Sequence, residues 1–373
     1  MVDHGCNQFQ RQRKNVLKNY LDSANCHNTV PCAELSTLKK KTRKRILYGL
    51  LALVLLTVVG VVGGLAYFKQ TWFRDRPNTL AIEGELHPIP MKWMGNAHDP
   101  HAFLLIPVSV PGFDNTFHMQ FDTGSPETYL KSGALESLME RGYEVELFKK
   151  EKLTYFRQFE FNVGGNKVTL KPGWVRGARG GIDWDNPNSN NVIGTIGSDF
   201  LDQRIGAIDF ATMQIRLYEN RPQIFDTLGT FTPFDFKGRK IVMPVTIDGS
   251  SENLIYDSGC SAFGLLTSGY YYDQYSDPNE PEIHYNGNRH GDPIPIHHRT
   301  CDLTATFGET ELPLKRISYV NLYAPVQALV GRFSSFAGFI GVLGNEPLTK
   351  STLILDAKAN EYLVVPGSSS QLE

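Results

Sequence analysis

The chain has 373 residues, of which 41% are hydrophobic and 20% are charged, and its formal net charge is −2 at pH 7. This composition is typical of a folded protein, and the length allows two or three domains. Five cysteines in a chain of this size exclude a disulfide-dense scaffold. The net charge by itself neither favours nor excludes nucleic acid as a partner, and we expect no such partner.

Residues 1–45 are polar and have no periodic apolar pattern, so we interpret them as a flexible tail. The tail ends in KKKTRKR (residues 39–45), and the following residues, 46–68, carry no charge. A helix over these residues rises about 35 Å, which exceeds the thickness of a hydrocarbon core, about 30 Å. A buried core helix and a cleaved signal peptide are the alternatives, but the apolar run and the tail are both too long for a typical signal peptide. We therefore predict a transmembrane helix.

Positive charge is concentrated on the N-terminal side of this helix, whereas the opposite side has fewer cations and includes Asp75. The positive-inside rule therefore predicts a cytoplasmic N-terminus, with the chain after residue 68 in the periplasm of a bacterial inner membrane or in a lumenal or extracellular space. That region has no Asn-x-Ser/Thr sequon, which favours the periplasm. Gly60 and Gly64 have the GxxxG spacing, which favours weak self-association, although glycine is common in any membrane helix.

Residues 69–100 contain scattered Trp and Pro, and we predict that they form a stalk or an entry segment to the region that follows. Beyond them, short runs rich in Val, Ile, Phe, Tyr and Thr alternate with Gly, Asn, Asp and Pro, which is typical of β-strands. Only Cys260 and Cys301 lie in this region, so it must fold on a hydrophobic core. We therefore predict an all-β fold after the stalk.

An internal repeat divides the β region into two halves. Four landmarks recur in the same order: an apolar-Pro-Val triplet, an Asp-Thr/Ser-Gly triplet, a hydrophobic-hydrophobic-Gly segment and a final Asp. The last two landmarks are 15 residues apart in both halves. This repetition predicts two homologous β-lobes, residues 101–228 and residues 229–367. The landmark residues are Pro107, Asp122, Gly194 and Asp209 in the first half, and Pro244, Asp257, Gly341 and Asp356 in the second.

The triplets Asp122-Thr123-Gly124 and Asp257-Ser258-Gly259 each follow an apolar run. The hydroxyl beside each aspartate can bond backbone of the other lobe, and the glycine lets a second backbone approach closely. Two such turns related by an approximate twofold axis bring two carboxylates together, and these share one proton because like charges at short range cannot both ionise. One carboxylate can then take a proton from water while the other donates to a substrate carbonyl.

These motifs resemble those of the pepsin-like and retropepsin-like aspartic peptidases, over roughly residues 100–366. The resemblance implies a bilobal all-β pepsin/retropepsin-like fold behind one transmembrane helix. It also implies an aspartic endopeptidase that needs no cofactor and no metal ion. The residues that carry the resemblance are Phe121 to Ser125, Tyr256 to Gly259, Val192-Ile193-Gly194 and Phe339-Ile340-Gly341.

The resemblance also implies a role for each site residue. Asp122 and Asp257 would hold the attacking water, supported by Gly124 and Gly259. The hydroxyls of Thr123 and Ser258 would bond between the lobes, and the hydroxyl of Ser125 would bond the outer oxygen of Asp122. The substrate would be an extended polypeptide that adds as a β-strand. A catalytically silent peptide-binding protein of the same fold and a membrane-tethered scaffold are the alternatives, but neither needs paired carboxylates.

Two positions depart from the family pattern. Cys260 stands where a hydroxyl residue would match Ser125, and a thiol is a weaker donor. Cys260 could instead form a disulfide with Cys301, and the sequence leaves both states open. Glu346-Pro347 replaces the Asp199-Phe200 pair of the first half, which can alter a short helix there.

Each half also contains a predicted hairpin about 30 residues after its aspartate. In the first half, residues 143–148 and residues 153–161 flank the charged tip KKEK. Tyr155 could supply a ring that packs on the substrate, or it could be a core or edge aromatic. In the second half, Asn286-Gly287 predicts a hairpin turn. Two hairpins of this kind predict two flaps over the site.

His284, His290, His297 and His298 cluster in the second insertion, but their spacing matches no familiar zinc site, so we interpret them as solvated loop residues. The sequence contains no obvious inhibitory propeptide. Lys92 is the main candidate in residues 69–100 to reach an aspartate pair. We expect an enzyme that is active without removal of a prosegment.

Overall fold

A computed structural model of the protein describes residues 40–84, 86–96, 99–177, 180–186, 188–289, 292–320 and 338–367. The chain divides into two compact units, Met1–Ala66 and Tyr67–Glu373. In the first unit, the described residues all belong to helix α1 (Lys40–Trp72), whose last residues belong to the second unit. The strands all belong to the second unit.

Helix α1 contains the apolar segment identified in the sequence. Its interior has no proline, and the Thr57 hydroxyl donates to the carbonyl of Leu53 (2.9 Å), so that this polar group bonds within the helix. Among the described residues, Lys44–Trp72 is the one helix that is long and apolar enough to span a membrane, and its apolar window is not buried inside the protein. The predicted N-terminal apolar helix is therefore confirmed, and it extends beyond residues 46–68 at both ends.

The first part of the second unit contains helix α2 (Ser132–Glu140), fourteen strands and an eleven-stranded sheet, counted over the described residues. The strands are β1 (Leu80–Glu83), β2 (Ile89–Pro90), β3 (Lys92–Met94), β4 (Phe103–Ser109), β5 (Thr116–Phe121), β6 (Tyr129–Lys131), β7 (Leu147–Lys150), β8 (Leu153–Phe156), β9 (Phe159–Val163), β10 (Asn166–Leu170), β11 (Gly173–Arg176), β12 (Val192–Ile196), β13 (Ile205–Asp209) and β14 (Gln214–Tyr218). The eleven-stranded sheet has the order β1-β10-β9-β4-β5-β12-β6-β11-β8-β7, with β3 also paired to β4.

The remaining part contains helix α3 (Gly269–Tyr275) and an eight-stranded sheet within the range that the structure describes. The strands of this part of the chain are β15 (Thr232–Pro233), β16 (Asp235–Lys237), β17 (Lys240–Ile247), β18 (Ser250–Tyr256), β19 (Leu265–Thr267), β20 (Ile283–Arg289), β21 (Asp292–Phe307), β22 (Thr310–Val320), β23 (Gly341–Leu343), β24 (Ser351–Asp356) and β25 (Glu361–Pro366). The order of the eight-stranded sheet is β16-β17-β18-β23-β19-β22-β21-β20.

A third sheet combines strands from both parts, in the order β15-β25-β24-β13-β14-β2. Its central pair is β13 and β24, which run antiparallel with Ala207 opposite Ile354. Every residue of these two strands is buried, as expected for strands covered on both faces. The sheet therefore joins the two parts through backbone hydrogen bonds and a shared apolar core.

The same sequence of strand pairings occurs in both parts. In the first, β4–β5 is antiparallel, β5–β12 parallel, β12–β6 antiparallel, β6–β11 parallel and β11–β8 antiparallel. In the second, β17–β18, β18–β23, β23–β19, β19–β22 and β22–β21 follow the same alternation. This agreement matches the internal repeat of the sequence landmarks.

The stalk predicted over residues 69–100 is wrong, because this segment adds strands to two sheets. β1 pairs with β10, β2 with β14 and β3 with β4. Leu80, Ile89 and Met91 are buried in the core. The apolar residues of this segment have partners distant in the sequence, which its local composition does not reveal.

The alternation of buried and exposed residues explains why these segments form β-strands. In β9, Phe159, Phe161 and Val163 are fully buried, whereas Glu160 and Asn162 between them are partly exposed. This alternation places one face of the strand in the core and the other towards solvent. The predicted mostly β fold with one N-terminal apolar helix is confirmed.

Candidate active site

Asp122 and Asp257 occupy equivalent positions, since Asp122 follows β5 and Asp257 follows β18. The backbone N–H of Asp122 donates to the carbonyl of Ile196 (3.0 Å), and that of Asp257 donates to the carbonyl of Leu343 (2.9 Å). These acceptors end the parallel neighbours β12 and β23, which contain or adjoin the hydrophobic-hydrophobic-Gly segments. Each aspartate is thus fixed by the partner strand that the sequence pattern marks.

The glycines of these segments are required by close packing. A Cβ atom on Gly194 would lie 2.3 Å from the carbonyl oxygen of Tyr129, and one on Gly341 would lie 2.7 Å from that of Leu266. Both distances are far below van der Waals contact. A larger residue would push β12 away from β6, or β23 away from β19, and so disturb the strands that fix the aspartates.

Thr123 and Ser258 exchange hydrogen bonds between the two triplets. The Thr123 hydroxyl donates to the carbonyl of Tyr256 (3.2 Å) and accepts from the Ser258 N–H (2.9 Å). The Ser258 hydroxyl donates to the carbonyl of Phe121 (3.0 Å) and accepts from the Thr123 N–H (3.0 Å). Both side chains are fully buried. The structure therefore joins residues 135 positions apart through two matching pairs of bonds.

Gly124 and Gly259 follow these two residues, and each lets the carboxylate of the other triplet lie close to the backbone. A Cβ atom on Gly124 would lie 2.3 Å from Oδ2 of Asp257, and one on Gly259 would lie 2.5 Å from Oδ1 of Asp122. Only glycine leaves room for the carboxylate at either position. The reciprocal contact brings together Asp122, Asp257, Thr123, Gly124, Ser258 and Gly259, as the sequence predicts.

The carboxylates interact strongly with each other. Burial raises the pKa of Asp122 well above its ordinary value, and the charge of Asp257 and a hydrogen bond between the two side chains act in the same direction. The Ser125 N–H and the Lys240 ammonium act against this rise. Two carboxyl groups in this arrangement hold one proton between them near neutral pH. Such a pair can act as acid and base on the same substrate bond.

Lys240 is a site residue that the sequence analysis missed. Its ammonium donates to the carbonyl of Gly124 and is 5.9 Å from the ring centroid of Trp72. The residue is only 6% exposed. Burial lowers the pKa of Lys240, whereas the charges of Asp257 and Asp122 act in the opposite direction. Lys240 opens β17, a mainly apolar strand, and it directly follows Arg239, so no local pattern separates it from an ordinary charged residue at a strand end.

The positions after the triplets differ from the expected pattern. The Ser125 hydroxyl donates to the carbonyl of Glu127 (2.8 Å), and it is the Ser125 backbone N–H that donates to Oδ1 of Asp122 (3.1 Å). The predicted side-chain bond is therefore wrong, because the hydroxyl bonds a carbonyl two residues ahead in the local turn. The Cys260 thiol contacts Oδ2 of Asp257 at 3.4 Å, and Cys260 and Cys301 are both free. Burial raises the pKa of Cys260 well above its ordinary value, so the thiol stays protonated and donates to Asp257.

A buried polar network supports the second triplet. The Tyr256 hydroxyl donates to Oδ1 of Asn345 (2.7 Å), and the Asn345 amide donates to the Ser261 hydroxyl (2.8 Å). The Ser261 hydroxyl in turn donates to the carbonyl of Ser258 (2.6 Å). No sequence pattern marked Asn345, which is close to Ser258 only in the folded protein.

The two predicted hairpins are present and have equivalent positions in the strand order. The first consists of β7 and β8, with Glu151 at its tip in a left-handed conformation (φ 57°). Tyr155 lies on β8, where its ring stacks on Phe148 at 5.5 Å. The first predicted strand, residues 143–148, is shorter than expected, because only its last two residues belong to β7.

The second hairpin consists of β20 and β21, and its turn differs from the prediction. Asn286 is opposite Pro295 and Gly287 is opposite Ile294, so both lie within β20. The last described pair is Arg289 with Asp292, which moves the turn beyond Asn286-Gly287. Pairing along two long strands outweighs the local turn preference of Asn-Gly.

The interpretation of the histidines of this region as loop residues is wrong for three of them. His284 and His297 are opposite each other in β20 and β21, and His298 is next to His297 in the strand, so these three are not loop residues. His290 lies outside the described residues.

Lys92 is the residue of 69–100 that the sequence offered as a candidate to reach the aspartate pair. In the structure, its ammonium donates to Oδ1 of Asn190 (2.5 Å).

No protein-family model matches the chain, and a search of curated proteins finds no match. The functional interpretation therefore depends on the residues and their geometry.

Proposed function

We propose that the protein is an aspartic endopeptidase of the pepsin-like and retropepsin-like type, with a bilobal fold. The observation that carries the proposal is the reciprocal bonding of Thr123 and Ser258, which unites the two triplets that contain Asp122 and Asp257. A structural protein has no need for two carboxyl groups in contact at the centre of such an arrangement, since their repulsion destabilises the folded state.

Burial and the charge of Asp257 raise the pKa of Asp122, and the proposed mechanism starts with the proton of the pair on Asp122. In the first step, Asp257 accepts a proton from a water molecule whose oxygen bonds to the peptide carbonyl carbon, while Asp122 donates its proton to the carbonyl oxygen. In the second step, the carbon–nitrogen bond breaks and the amine nitrogen receives the proton held by Asp257. Asp122 recovers a proton as the new carboxyl group forms. This sequence needs no covalent intermediate and no metal ion.

The substrate in this proposal is an extended polypeptide that adds as a strand beside the site. The hairpins β7–β8 and β20–β21 have equivalent places in the two sheets, which supports their assignment as two flaps. Tyr155 is on the first hairpin and packs on Phe148, so we assign it to support of that flap. We also propose that the Tyr155 ring contacts the substrate.

Helix α1 anchors the enzyme in the membrane in this proposal. The basic residues at its N-terminal end and the positive-inside rule favour a cytoplasmic N-terminus. The catalytic region then faces the periplasm of a bacterial inner membrane, or a lumenal or extracellular space. Gly60 and Gly64 on α1 could support a weak association between two copies.

The proposal is tested with the full-length protein in nonionic detergent, as wild type and as Asp257→Asn. Asparagine retains the shape of aspartate but cannot accept the proton from water. Asp248→Asn is the matched control, since Asp248 is exposed in a turn with φ 48°, which asparagine tolerates. Each protein is incubated with an unfolded protein and a mixed peptide library from about pH 3 to pH 8, and mass spectrometry identifies the products.

We expect cleavage by the wild type and by Asp248→Asn, and at least a 1,000-fold loss, as an order of magnitude, for Asp257→Asn. The cleavage sites would then define the pocket preferences. Absence of cleavage by all three folded proteins would contradict the enzyme, and capture of uncleaved peptides by the wild type would support the catalytically silent peptide-binding protein instead.

A further inference from the structure

The hairpin β20–β21 brings together two histidines and a glutamate. His284 and His297 are opposite each other in the strand register, and Glu282 is two residues before His284. Glu282 lies immediately before β20, and its carboxylate contacts both imidazoles, so all three side chains lie on one side of the hairpin. One potential ligand atom from each residue lies within 4.8 Å of the other two.

The distances suit a small tetrahedral metal ion. His297 Nδ1 is 3.2 Å from Oε1 of Glu282, and His284 Nε2 is 3.8 Å from Oε2 of Glu282. Ligands bound at about 2.0–2.2 Å in a tetrahedron are separated by about 3.3–3.6 Å. The two imidazole rings are edge to face with centroids 4.5 Å apart. Glu282 and His297 are partly buried and already close to this spacing, so a rotation of the exposed His284 side chain is the main adjustment needed to place three donors around one ion.

Neighbouring residues hold the ligands in position. The Tyr272 hydroxyl donates to Oε1 of Glu282 (3.3 Å), and the guanidinium of Arg299 is 3.7 Å from Oε2. The ring of His297 stacks on Tyr319 with centroids 4.4 Å apart. Contacts of this kind orient the ligands of metal sites in proteins. Arg299 opposes a second positive charge at this position, and its guanidinium also lies over the ring of Tyr272, 5.2 Å from the centroid.

We propose that Glu282, His284 and His297 bind a zinc ion that cross-links β20 and β21. Two imidazoles and one carboxylate form a donor set typical of zinc, with the fourth position left to water. The equivalent hairpin β7–β8 has a stacked aromatic pair, Phe148 and Tyr155, across its strands. The zinc ion would hold the second hairpin where the first uses aromatic packing. The site is independent of the aspartate pair.

Zinc binding is tested with the full-length protein in nonionic detergent, freed of metal with EDTA and titrated with zinc chloride by isothermal titration calorimetry. Wild type is compared with His284→Gln and His297→Gln. His284 is exposed, so its replacement does not threaten the fold. His87→Gln is the matched control, since His87 is an exposed histidine outside the hairpin. Cysteines and histidines in residues 1–39 can add a background that all four proteins share, so the measured quantity is the difference in stoichiometry.

We expect each hairpin variant to bind one zinc ion fewer per chain than the wild type and the control. Zinc should also slow hydrogen–deuterium exchange in residues 283–289 and 292–298 of the wild type and not of His297→Gln. Asp257→Asn should bind zinc like the wild type, which separates this test from that of the peptidase. Equal stoichiometry in all proteins, without zinc-dependent protection of the wild-type hairpin, would overturn the site.

Discussion

The bonds between Thr123 and the second triplet provide the most direct test of how the site is held. Thr123→Val keeps the shape of the side chain and removes its hydroxyl. The buried N–H of Ser258 and the carbonyl of Tyr256 then lose this partner. A buried polar group left without its partner costs about 1–3 kcal/mol, so two such groups predict a loss of about 2–6 kcal/mol. This is a large share of a typical folding free energy of about 5–15 kcal/mol.

The assay is thermal unfolding of the full-length protein in nonionic detergent, followed by near-UV circular dichroism. Thr195→Val is the matched control. Thr195 is buried, and its hydroxyl has no hydrogen-bond partner within the described part of the chain, so valine removes an unsatisfied group there. We expect Thr123→Val to unfold well below the wild type and Thr195→Val to unfold at or above it. Equal midpoints for the two variants would refute the reasoning.

A double variant tests whether the two residues act as one unit. Ser258→Ala removes the bonds to the Phe121 carbonyl and from the Thr123 N–H. Because the bonds of Thr123 and Ser258 span the same junction, we expect the double variant to lose less stability than the sum of the single losses. A strictly additive result would mean that the two residues support separate parts of the structure.

Three further predictions concern the aspartate pair. The folded-state pKa of Asp122 is raised above its unfolded value, so this carboxyl destabilises the folded state as pH rises above about 4. Asp122→Asn should therefore unfold at a higher temperature than the wild type at pH 7, with the difference lost near pH 3; a lower midpoint at pH 7 would contradict this. Lys240→Met removes a charge that lowers the pKa of Asp122, so the pH profile of kcat/KM for the proposed peptidase should shift to higher pH, and an unchanged profile would exclude that electrostatic effect. In Gly124→Ala, the new methyl group would lie 2.3 Å from Oδ2 of Asp257. Its displacement of the carboxylate should reduce kcat at least about 100-fold, whereas Gly269→Ala, where the added methyl group has open space, should retain activity in the same assay.

Local sequence signals determined the features that depend on nearby residues. A long run without charges defined helix α1, and alternating apolar residues such as Phe159 and Phe161 defined strands, because each pattern reflects the period of one element. The two Asp-Thr/Ser-Gly triplets predicted which residues meet, since they recur in equivalent positions of an internal repeat and resemble the motifs of a known family. The assignment of the whole region to a bilobal peptidase fold stays a proposal.

The tertiary structure decided everything that depends on pairing between distant segments. Residues 69–100 have the composition of a stalk, yet β1, β2 and β3 find partners elsewhere in the chain. Asn286-Gly287 has the local preference of a turn, but the ladder along β20 and β21 overrides it. Lys240 reaches the carbonyl of Gly124, 116 positions away, and Glu282 contacts His297, 15 positions away, only once β20 and β21 have paired. Such contacts depend on burial and on hydrogen bonds between segments that come together only in the folded chain, so no local pattern can specify them.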